Sequence, residues 1–254
     1  MDISRETINI ELIQKYIIEY FRSMNTDDAI INNNLAHAYR YLITLNYIVN
    51  HNLLCDGRGI VFETGDSGVF TFLLNKILKF HNIIHHGGDL RDSIELSENC
   101  VDTILCMEVI EHIADDKRYH EMHFEGVRTM FKSFGHILKP NGRILLTTPN
   151  ITSYMSMMRL LKNKNPMTYP IHVKEYSPEE INLLATKCGF GVDLLSTEFA
   201  FISPSRYKLL HLLLKLFNFN VQNRGDTIFA ILRKNEQYKF EECDLAALFL
   251  QYMF

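Results

Sequence analysis

The chain predicts an α/β fold built on a mainly parallel, doubly wound sheet. Three observations carry this. Short apolar, β-branched runs alternate with helical stretches from residue 59 onward, a rhythm that sets strands in parallel with helices on both faces. Turn residues punctuate the runs, at Gly65 and Gly68, at Gly87 and Gly88, and at Pro140 and Gly142. The 254 residues, 47% of them hydrophobic, suffice for one large domain with a substantial core.

The elements follow in order. Ile10, Ile13, Ile17 and Phe21 recur on one face and predict a helix over 9–23. A second helix spans about 34–50, with Tyr41, Leu45 and Ile48 inward, until the glycines at 57 and 59 break the pattern. Residues 59–64 read as a short buried strand, 70–79 as a helix and 82–86 as a weaker strand. Residues 101–107 form the next strand and 119–138 a long helix, stopped by Lys139-Pro140-Asn141-Gly142. A strand over 143–148 follows. Ser177 can cap a further helix, Pro178 suits its first position, and Glu180 completes a capping box. That helix ends at Cys188-Gly189, and 192–201 and 227–232 are late strands.

Composition narrows the function. A net charge of -4 argues against a general nucleic-acid binder. Five cysteines, an odd number with no CxxC pair, read as reduced thiols in a cytoplasmic protein. The polar start gives no signal peptide. No apolar run reaches the roughly 18–20 residues of a transmembrane segment. The nearest, residues 209–217, is short and interrupted by charge. It and the apolar end, residues 245–254, are expected to dock on the core or on a partner subunit, which leaves a homodimer open, with a membrane-surface role as the less favoured reading. His85 and His86 are adjacent in a strand and point to opposite faces. His120 and His123 share a helix face but lack a third ligand. No metal is expected.

Ligands of such sheets bind beyond the carboxyl ends of the strands. The first strand ends in Glu63-Thr64-Gly65-Asp66-Ser67-Gly68. Small residues admit a ligand close to the backbone, and the next helix offers free N–H groups. Ser67 stands where a dinucleotide fingerprint needs a second glycine. No Gly-Lys-Ser/Thr follows, so a P-loop is excluded.

Three later blocks are more specific: Asp102 to Ile113 with Glu108-Val109-Ile110-Glu111-His112, Leu138 to Asn150 with its Thr148-Pro149-Asn150 end, and His172 to Glu180. With the loop before them and Gly189-Phe190 after, their order and spacing over 59–190 resemble class I S-adenosylmethionine-dependent methyltransferases, in the group of ubiquinone-biosynthesis and small-molecule O-methyltransferases. The resemblance implies a Rossmann-like sheet of the seven-stranded type, with N-terminal helices and a helical insertion. It divides a single methyltransferase domain into an N-terminal helical cap (1–58), a cofactor-binding core (59–150), and a substrate-side insertion with late strands (151–254).

The resemblance also implies roles. S-adenosyl-L-methionine is the cofactor. Glu63 shapes the loop, Gly65 is the close-approach glycine, and Ser67 replaces a glycine and stiffens the turn. Met107 and Glu108 line the methionine and adenosine. Asp89 is assigned to the cofactor, with ribose and adenine both open. The interval from Gly65 to Glu108 is short for the family, as if one strand-helix step were trimmed. His112 and His172 are candidate bases for a substrate hydroxyl, neutral imidazole being the usual base near pH 7. Each could instead brace a loop or anchor a helix. The methionine-rich stretch 151–176 suggests an adaptable apolar wall over a substrate.

The expected activity is methyl transfer to a small-molecule or carbohydrate- or lipid-linked acceptor, at oxygen rather than nitrogen. The alternative is a methyltransferase fold without catalysis, serving as a binding or assembly subunit. Methylation of nucleic acid is disfavoured by the charge.

Overall fold

In a computed structural model the described residues are 8–65, 68–115, 124–236 and 238–240. A six-stranded sheet organises them. Its strands are β1 (Val61–Thr64), β2 (Ile83–His86), β3 (Val101–Met107), β4 (Leu138–Pro149), β5 (Phe190–Glu198) and β6 (Thr227–Lys234), in the order β2-β1-β3-β4-β6-β5. The pairs β1–β2, β1–β3 and β3–β4 are parallel, and β6 runs antiparallel to both of its neighbours. β5 therefore points the same way as β1 to β4, and these strands end on one edge.

Successive strand residues point to opposite faces, and two cores result. Phe62, Ile104, Ile144, Leu146 and Ala230 pack on one face with α5 (Glu125–Ile137) and α7 (Pro178–Lys187). Val61, Leu105, Leu145, Phe229 and Ile231 pack on the other with α1 (Ile10–Ser23), α3 (Ala38–Asn50) and α4 (Val69–Ile77). This is the doubly wound arrangement that the strand–helix rhythm predicts.

Several expectations are corrected. The sheet has six strands among the described residues, not seven. After β2, residues 87–100 run to β3 without a helix, so a strand-helix step is indeed absent there. The helix expected over 34–50 is α3, which starts at Ala38, and a separate helix, α2 (Asp28–Leu35), precedes it unexpectedly. Asp27 caps α2 by accepting from the Ala29 N–H, which starts it early. The turn Lys139–Gly142 does stop α5, but it then bulges out of β4. Pairing passes from Val101↔Leu138 to Thr103↔Arg143, with Asn141 at φ 60° between. The start expected for α5, with His120 and His123, lies outside the described residues, as does the apolar end 245–254.

The insertion supplies α6 (Tyr154–Leu161) and α8 (Lys208–Leu216). No helix among the described residues is long and apolar enough to cross a membrane.

The capping box of α7 forms as expected. Ser177 Oγ accepts from the Glu180 N–H, and Glu180 Oε2 accepts from the Ser177 N–H. Ser177→Ala should destabilise the fold by about 1 kcal/mol, read as a lower denaturant midpoint at an unchanged slope. An unchanged midpoint would show that the cap contributes nothing.

Candidate active site

Thr64, His86 and Met107 end three adjacent parallel strands. A cavity of about 610 Å³ opens there. Glu63, Gly65, Asp89, Met107, Glu108 and His112 line it, together with Arg40, Tyr41, Phe70 and Ile171. Six of the eight residues singled out in the sequence thus meet in one place. Ser67 lies outside the described residues. His172 does not line the cavity, but its ring meets that of His112 edge to face, with centroids 4.9 Å apart. A second cavity, about 830 Å³, lies beside α8 and contains none of the eight.

The loop is shaped for close approach. Gly65 has φ +129°, where side-chain-bearing residues are strained, and a Cβ there would meet nothing within 4 Å. Gly68, at φ +62°, turns the chain into α4, which has no side-chain cap among the described residues. His86 Nε2 is buried on the cavity wall without a partner among the described residues. Open space before a glycine, an uncapped helix start and an unsatisfied imidazole nitrogen together fit a polar, adenosyl-sized ligand.

The acids play distinct parts. Glu63 is 4% exposed, accepts a hydrogen bond from Thr71 Oγ1 and faces His85 Nδ1 at 3.5 Å. Burial raises its carboxyl above the usual range. Asp89 stands three residues past β2, exposed at the cavity mouth. Hydrogen bonds from the side chain and backbone of Arg91 hold its carboxyl below the usual range.

Glu108 is at φ 56° directly after β3. Its N–H donates to the Thr147 carbonyl, while its carboxylate accepts from Thr147 Oγ1 at 2.9 Å and pairs with Arg40 Nη1 at 3.1 Å. Sequence reasoning missed Arg40. A signal was present: it is the one charged residue of the 13-residue helix α3. Burial lowers the basicity of its guanidinium, which lies over the Tyr41 and Phe201 rings.

Glu111 is 1% exposed. One carboxylate oxygen accepts from Thr148 Oγ1 at 2.9 Å, and the other, Oε1, is buried without a partner. Desolvation pushes its carboxyl up to about 7. Its carbonyl accepts the Val173 N–H at 2.8 Å and so docks the His172 segment. Glu175 in turn anchors that segment: its carboxylate meets His172 Nδ1 at 2.7 Å and accepts from the Thr168 hydroxyl. Glu111, His112 and His172 each bring one potential metal-ligating atom within 4.8 Å of the others.

A family described as a methyltransferase domain matches residues 2–195, and the chain belongs to that methyltransferase family. The fold is similar to that of a protein from Thermotoga maritima described as an S-adenosylmethionine-dependent methyltransferase and possible histamine N-methyltransferase. Identity there is 18% and the TM-score 0.54, over 87% of this chain and 99% of that one. A methyltransferase from Archaeoglobus fulgidus is similar at 15% identity and TM-score 0.50, over 76% and 94% of the two chains. No sequence among the curated proteins matches.

The buried Glu111 makes stability depend on pH. Its carboxyl ionises near 4.5 in the unfolded chain but only at about 7 in the fold. The stabilisation is therefore whole below 4.5 and lost as pH rises to about 7. Glu111→Gln keeps an acceptor for Thr148 and removes the titration. Between about pH 5 and pH 8 in chelator-containing buffer, the wild type should lose roughly 1–3 kcal/mol relative to the variant. Parallel melting curves across that range would exclude this role.

Proposed function

We propose that the chain transfers a methyl group from S-adenosylmethionine to a hydroxyl oxygen of a small-molecule, carbohydrate-linked or lipid-linked acceptor in the cytoplasm. The supporting observation is that His112 faces the same cavity as Gly65, Asp89 and Met107. Glu63, Gly65, Ser67, Asp89, Met107 and Glu108 hold the cofactor in this reading. Asp89 takes the ribose hydroxyls, because it follows the strand next to β1. Glu108 acts mainly through position, since Arg40 and Thr147 already occupy its carboxylate.

The bound cofactor supplies a methyl group on a sulfonium, ready for direct displacement. The chain must align and dry the nucleophile. Tyr41, Phe70, Val109, Ile113 and Ile171 form the apolar part of the wall. A hydroxyl sheds its proton as it is methylated, and the His112 imidazole stands where it can take that proton. His172 braces the His112 ring and can pass charge toward Glu175. An amine acceptor needs no base at the moment of attack, so an imidazole in the cavity favours oxygen.

Two experiments test this. Calorimetry should show binding of S-adenosylmethionine and S-adenosylhomocysteine by the wild type. Gly65→Arg, strained at positive φ and projecting into open space, should weaken both by more than about tenfold. Retained affinity would move the site elsewhere. A screen of acceptors by labelled methyl transfer then supplies the substrate. On it, His112→Ala should lower kcat by about 10²-fold or more, and His172→Ala by less. Full turnover in both variants refutes the proton-acceptor role.

A further inference from the structure

We propose that α8 and its flanks form a docking surface for an anionic membrane. Leu209, Leu212, Leu213 and Leu216 recur at i, i+3, i+4 and i+7, the spacing of a stripe that normally faces a core. Of the readings open to this segment, the leucines' exposure excludes docking on the core and leaves a partner subunit or a membrane surface. The four leucines are 70%, 62%, 44% and 74% exposed, and only Leu210 and Leu214, on the opposite side, are half-buried. Phe217 and Phe219 continue the exposed apolar surface.

Charge selects the partner. Between Glu198 and Asp226 stand Arg206, Lys208, Lys215 and Arg224, with no Asp or Glu, in a chain of net charge -4. Lys208 and Lys215 lie one heptad apart, exposed along one border of the leucine stripe. An apolar face bordered by lysines suits a helix lying in the plane of a membrane interface, where lysine stems reach outward to headgroups. Nine residues are too few to span a bilayer. A second copy is a poorer occupant. Two-fold pairing sets a patch against itself, so the lysines would meet lysines with no carboxylate in the segment to receive them.

The location gives this surface a use. β5 ends at Glu198 on the edge that carries the cavity, and the chain runs from there to α8. Asp226 accepts from the N–H groups of Ala200, Phe201 and Ile202 and fixes that connection. Phe201 packs on Arg40, itself part of the cavity wall. Tyr154 Oη and His211 Nδ1, 2.5 Å apart, tie α6 to α8. A bilayer under α8 would lie at the end of a connection that starts beside the cavity wall. The inference concerns where the protein sits and does not depend on the atom methylated.

Co-sedimentation of the full chain with vesicles tests it. Equimolar phosphatidylcholine and phosphatidylglycerol should bring the protein down, and added salt should release it. Pure phosphatidylcholine should bind far less. Leu212→Asp/Leu216→Asp should abolish sedimentation, and Lys208→Gln and Lys215→Gln should each weaken partitioning by about fivefold. These side chains are exposed, so S-adenosylmethionine binding should survive in every variant, which separates lost docking from lost fold. Absence of binding to the anionic vesicles, equal binding to pure phosphatidylcholine, or unchanged binding of the aspartate variant overturns the proposal. So does a concentration-dependent dimer that the aspartate variant abolishes, since that gives the face to a second copy. Vesicle binding in a protein that ignores S-adenosylmethionine would sink the cofactor reading alone.

Discussion

The Glu108 junction joins the parts of this protein that matter for its site. Glu108 follows β3 in a left-handed conformation and is held by three contacts: two with Thr147 of β4, and one with Arg40 of the N-terminal helices. A non-glycine residue at positive φ is costly and persists only where its surroundings fix it. A buried guanidinium is likewise tolerable only when paired. Each strained or buried element here is satisfied by another, so the strand edge, the neighbouring strand and the cap are held in one arrangement. The cavity lies where these three meet.

A second polar layer lies beside the first. Glu111, Thr148, His172 and Glu175 tie the turn after β3 to the insertion that follows β4. Glu111 is the weak member, with one carboxylate oxygen unpartnered and burial favouring its protonated form. Such a group destabilises the fold when ionised, yet it lies next to the imidazole that faces the cavity.

Much of this was legible in the residues. The β-branched runs located five of the six strands to within a few positions, because strands buried on both faces read as continuous apolar stretches. Ser177, Pro178 and Glu180 announced their helix because capping is a local interaction. The glycine loop and the Glu108–His112 block located the candidate site, since ligand positions in such sheets follow strand ends. Failures fell where long-range contacts decide. Arg40 drew no notice in its amphipathic helix, because its partners Glu108 and Phe201 lie far along the chain. The burial of Glu111 goes with the His172 segment, which docks on its carbonyl.

By itself, the sequence determined the fold class, the strand rhythm and the family, because periodicity, caps and turn glycines act over a few residues. Tertiary structure decided which charges are buried, which histidine faces the cavity, and that the leucine stripe of α8 faces outward. Periodicity defines an apolar face without specifying what it meets, and a side chain's electrostatic state depends on neighbours that only the fold assembles.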